Sequence, residues 1–67
     1  MEIFAERLKY LREEKGFSQT RLSKETGFSR SIIGYWEQGA KIPSALAIIT
    51  LAKYFQVSAD YLLGLSD

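Results

Sequence analysis

Between Arg30 and Gln38 the residues able to make polar contacts fall on one side of a short helical register and the bulky apolar ones on the other. Arg30, Ser31, Gly34, Tyr35 and Gln38 share the first side, and Ile33 and Trp36, three apart, share the second. A face of hydrogen-bond donors with one aromatic and almost no bulk suits entry into the major groove of duplex DNA, where side chains must reach base edges. Arg30 has the chemistry to donate bidentately to guanine O6 and N7, whereas the serines are too short to fix a base identity alone. Trp36 invites a stacking role, but its register with Ile33 assigns it to the core.

Two helices must position that face, and the local sequence specifies both. Phe17-Ser18 and Phe28-Ser29 repeat one device eleven residues apart: an apolar residue, then a serine able to cap a helix, with Leu22 and Ile33 at the fifth position after each phenylalanine. This is a hydrophobic staple at each helix start. Gly27 lies between them, where the first helix must stop through a left-handed residue. So short a turn requires a steep crossing, the geometry of a DNA-reading helix-turn-helix, with Ile33 and Trp36 packed on Leu22 and Thr26. Gln19 then stands at the first position of the leading helix, where its amide can join backbone N–H groups in gripping a phosphate.

The rest of the chain supplies support. Phe4, Leu8 and Leu11 form an apolar stripe on a helix from Ile3 to about Lys15, ended by Gly16. Arg7, Lys9, Glu13 and Glu14 lie mainly off the stripe and read as a solvated face, while Arg12 adjoins it. After a loop from Ala40 to Pro43, Ser44 caps a fourth helix carrying Leu46, Ile48, Ile49, Leu51, Ala52 and Phe55. Apolar on more than one side, this helix is expected to sit centrally. Val57-Ser58 repeats the staple with Leu62, and Gly64 stops a short fifth helix. Tyr61, Leu62, Leu63 and Leu65 make an apolar end larger than one short helix can hide, so part of it is expected to be a homodimer contact. The expected fold class is all-α: a single five-helix domain over 1–67 with no strand.

Composition excludes other classes. Sixty-seven residues allow one small core. There is no cysteine and no histidine, hence no disulfide and no thiolate or imidazole metal site, in keeping with a reducing cytoplasm. The longest apolar run, Ala45 to Ile49, is far below the roughly 20 residues that span a bilayer. Glu13 and Glu14, adjacent on a helix, point apart and have no nucleophile or phosphate-binding loop beside them, so no enzyme is expected, nor any cofactor or small-molecule ligand. A net charge of +1 gives no bulk argument for nucleic acid. Within 18–41, Arg21, Lys24, Arg30 and Lys41 against Glu25 and Glu37 leave a local excess of two positive charges.

The segment from Ser18 to Gly39 resembles the lambda-repressor-like helix-turn-helix family, of the Cro, phage-repressor and xenobiotic-response-element type. The residues that carry the resemblance are Gln19, Leu22, Gly27, Ile33 and the aromatic-Glu-x-Gly of Trp36, Glu37 and Gly39. It continues through Pro43-Ser44, Leu51-Ala52 and Asp60-Tyr61-Leu62-Leu63-Gly64. The resemblance implies base contacts by Ser29, Arg30, Ser31 and Tyr35, and phosphate contacts by Gln38 and Lys41. For Tyr35, partial burial is an equal alternative. It further implies an ion pair between Arg12 and Glu37. Gly34 departs from the pattern, which usually has a larger polar residue there. The function implied is a transcriptional regulator, a repressor bound as a homodimer to a palindromic operator in double-stranded DNA. An antitoxin-type regulator, or an interaction module of the same fold without DNA, remains open.

Overall fold

Four serines start four of the five helices. The hydroxyls of Ser18, Ser29, Ser44 and Ser58 accept from the backbone N–H three residues on, at 3.0, 3.1, 3.1 and 3.0 Å. Each satisfies a donor that helix geometry leaves without a partner, a contribution of about 1 kcal/mol apiece. The computed structural model describes residues 1–67, with α1 at Glu2–Glu14, α2 at Gln19–Thr26, α3 at Arg30–Glu37, α4 at Ala45–Phe55 and α5 at Ala59–Leu63. There is no strand, as the sequence led one to expect, and α1 begins and ends one residue earlier than its stripe indicated.

Gly27, at φ 84°, makes the left-handed residue that ends α2. The turn after it is tied by two side chains: Ser23 Oγ donates to the Phe28 carbonyl at 2.6 Å, and Thr26 Oγ1 donates to Leu22 O at 2.8 Å while accepting from the Phe28 N–H. Gln56 plays Gly27's part at the end of α4 with φ 58°, the one non-glycine residue in that region.

Phe4, Leu8, Leu22, Ile33, Leu51 and Leu62 are fully buried, and Trp36 is 4% exposed. Trp36 meets Phe28 edge-on at 5.0 Å and Phe4 at 6.1 Å, so it ties α1 to the turn and to its own helix. Helix α1 packs on α3 and α5, α2 on α3 and α4, and α4 on α5.

Two expectations need correction, for α4 and for Arg7, and the apolar C-terminal end is narrowed to the part left uncovered. Helix α4 is not central: Ala47, Ile48, Leu51 and Ala52 face the core, but Leu46 is 71% and Ile49 48% exposed. Its second apolar side faces solvent because α2 and α5, the helices that pack on α4, cover only the other side. The apolar C-terminal end is largely used within the protomer, since Leu62 is fully buried and Arg7 lies over the Tyr61 ring, 4.4 Å from its centroid. Leu65 and parts of Tyr61 and Leu63 stay open. Nor is Arg7 merely solvated: its guanidinium donates to the carbonyls of Tyr61 and, at 2.6 Å, of Ser66, fastening the C-terminus to α1.

Candidate nucleic-acid interface

Helix α3 stands with Ile33 and Trp36 in the core, which turns Arg30, Ser31, Tyr35 and Gln38 outward, all exposed. With Gln19 and Gly34 they line an open polar recess of about 260 Å³. Because α2 and α3 are locked together by the tied turn, Gln19 at the start of α2 lies beside the middle of α3. Of the residues read from the sequence as base-facing, Arg30, Ser31 and Tyr35 therefore share one surface. Ser29 is exposed as well, but its hydroxyl oxygen caps α3, which leaves its hydrogen and one lone pair for an outward partner.

Beneath that surface Arg12 and Glu37 meet as a two-pronged pair. Arg12 Nε donates to Glu37 Oε2 at 2.7 Å and Nη2 to Oε1 at 2.9 Å, with side chains only 11% and 4% exposed. Nη1 donates to the Phe17 carbonyl at 2.7 Å, so one guanidinium ties α1 to the entrance of α2 and to the end of α3. The bond to Glu37 holds Arg12 above even its ordinary high pKa. Gln19 Nε2 adds a third donor to Glu37 Oε1, at 3.2 Å. That bond is not legible in the resemblance, and it takes one of the two amide hydrogens available to a phosphate.

At the far end of α3, Lys41 sets its Nζ 5.1 Å from the Tyr35 ring centroid. Tyr35 is 44% exposed: Lys41 lies over its ring and the remainder of the side chain is on the outer surface. At the front of α2, Arg21 pairs with Glu25 at 3.0 Å and lies over Phe17. Neither stacking follows from residue spacing. No helix is long and apolar enough to cross a membrane.

Two short helices joined by a tied three-residue turn, the second presenting a polar outer face, define a helix-turn-helix DNA-binding domain. The helix-turn-helix family pattern matches residues 8–62, and the chain belongs to that family, in its Cro/C1-type, lambda-repressor-like branch. Among solved structures it is similar to the restriction-modification controller protein C.AhdI from Aeromonas hydrophila, with a TM-score of 0.81 and 34% identity over 91% of this chain and 92% of that one. Among sequences it is 39% identical over 61 residues to YazB of Bacillus subtilis, an uncharacterized HTH-type transcriptional regulator, covering 91% of this chain and 88% of that protein. It is 32% identical to the B. subtilis regulator YobD over 97% of its own length and 35% identical to the transcriptional activator BcrR of Enterococcus faecalis over 91%. It spans only 58% of YobD and 30% of BcrR.

Proposed function

We propose that this chain is a transcriptional regulator that reads double-stranded DNA by setting α3 in the major groove. The observation that carries the reading is the outer face of α3: Arg30, Ser31, Tyr35 and Gln38 exposed together, with the core side chains Ile33 and Trp36 directly behind them. Family membership and the regulator names of the relatives support it. Arg30 reads guanine, Ser29, Ser31 and Tyr35 make the neighbouring base contacts, and the start of α2 with Gln19 holds one phosphate. Gln38 and Lys41 hold a second, beyond the end of α3.

The regulator acts as a repressor and binds a palindromic operator as a homodimer, with half-sites about 34 Å apart. What supports the dimer is the uncovered apolar side of α4. Ile42, Leu46 and Ile49 are 75%, 71% and 48% exposed, and Ile42 and Ile49 line a groove of about 430 Å³ together with Met1, Pro43, Ile48 and Leu63 among others. A second copy laid against this side supplies the missing layer.

Selection of bound sequences from random duplex DNA tests the reading, followed by salt titration of the winner. A palindrome whose affinity falls steeply with salt is the expected result. Failure to enrich any sequence overturns DNA recognition, and enrichment of a single, non-repeated half-site overturns the dimer.

A further inference from the structure

Glu37 has no hydrogen to donate and its carboxylate is 4% exposed, so each group facing it must be a donor. Arg12 supplies two, and Gln19 Nε2 supplies the third at 3.2 Å. The Gln19 amide is thereby oriented by chemistry, nitrogen toward Glu37 and oxygen away from it. That oxygen, Oε1, lies 3.8 Å from the point where a Cβ on residue 34 would stand. Residue 34 is glycine, so α3 puts no side chain of its own between Gln19 and the recess shared with Arg30, Ser31, Tyr35 and Gln38.

We propose that Gln19 Oε1, reached through the gap at Gly34, is a specificity-determining acceptor for an exocyclic amine of the bound duplex, adenine N6 or cytosine N4. The assignment rests on the DNA-reading function above and adds an element of sequence preference to it. Amines are the only donors that base pairs display in the major groove; every other polar group there is an acceptor. Phosphate oxygens are acceptors too and cannot satisfy Oε1. Arg30 can only donate, and the hydroxyls of Ser31 and Tyr35 and the amide of Gln38 can turn to suit either partner. Oε1 is an acceptor whose orientation a buried carboxylate holds, so it discriminates where a free amide would adapt. Glu37 is its positioning residue.

The test uses the duplex selected by the wild-type chain, with each adenine or cytosine replaced in turn by purine or 2-pyrimidinone, the analogues that lack the amine. In the wild type, removing one amine per half-site weakens binding about fivefold, the worth of one neutral hydrogen bond. In Gly34→Ala the added methyl lies at ordinary contact distance over Oε1 and shields it, so the same removal changes affinity less than about twofold. Gly34 has no positive φ, so this variant folds and melts no lower than the wild type, which separates lost reading from lost structure. Gln19→Leu, which has no amide, loses the same sensitivity. If no analogue weakens the wild type, or if Gly34→Ala keeps full sensitivity, the assignment is wrong while DNA reading stands. If no duplex is selected at all, DNA reading fails and this assignment with it.

Discussion

Replacing Arg12 with alanine removes both prongs from a carboxylate that is 4% exposed and leaves Glu37 with only the longer 3.2 Å bond from Gln19. Breaking a buried pair from one side costs about 3–5 kcal/mol, since the remaining charge stays desolvated and unpaired. The bond from Nη1 to the Phe17 carbonyl goes too, worth about 1 kcal/mol. A domain of this length has about 3–10 kcal/mol of total stability, so Arg12→Ala is expected to be close to unfolded at 37 °C. In a domain this small each kcal/mol lowers the melting temperature by about 4–8 °C, which amounts to a drop of about 15–50 °C. Urea melts followed by fluorescence measure it directly, because the single tryptophan, Trp36, is buried against Phe4 and Phe28. Glu37→Ala should cost about as much. The Arg12→Met, Glu37→Leu double variant should recover most of the loss, because apolar side chains of similar volume suit the same site. A coupling energy of about 2–3 kcal/mol is expected in the alanine cycle. Additive effects, or a loss below about 1 kcal/mol for Arg12→Ala, would refute the reasoning by showing that the pair is solvated or unformed in solution.

Arg30→Ala should lose about 1–3 kcal/mol for the preferred operator and relax one base position per half-site, with no change in melting temperature; unchanged discrimination in binding titrations would remove Arg30 as a base reader. Lys41→Ala should weaken all sequences alike and lower the salt slope by about one ion per subunit. Since Lys41 also covers Tyr35, Tyr35→Phe should leave that slope unchanged, and a changed slope would show that the tyrosine hydroxyl itself meets a phosphate. Leu46→Lys, on the open side of α4, should keep the fold and yield a monomer by sedimentation, whereas Leu62→Ala, in the core, should destabilise by about 2–5 kcal/mol. Gln56→Gly should stabilise by about 0.5–1 kcal/mol in thermal melts, because glycine adopts φ 58° without the steric cost that glutamine bears.

The helix starts were legible in the sequence because a cap is a local event. Serine at 18, 29, 44 or 58 needs only a backbone N–H three residues on, and no distant residue enters the decision. The end of α2 was legible for the same reason, since glycine reaches the left-handed region without help. The end of α4 was not. Gln56 takes that conformation just before Val57 packs against the core and carries no local signature of its own.

Periodicity likewise determined which side of α3 faces outward, because Ile33 and Trp36 leave one direction free, and with it the grouping of Arg30, Ser31, Tyr35 and Gln38. What tertiary structure alone decided is what lies across from each face. Two-sided apolarity in α4 reads the same whether a second layer covers it or solvent does, so the exposure of Leu46 and Ile49 had to be seen. Arg7 finds its partners 54 and 59 positions away at Tyr61 and Ser66, a separation over which no spacing rule operates. The orientation of the Gln19 amide is of the same kind: it follows from Glu37, eighteen residues on, whose carboxylate α1 and α3 together bury. Local hydrogen bonds and apolar period are written in neighbouring residues, whereas burial and long-range pairing exist only once the helices have packed.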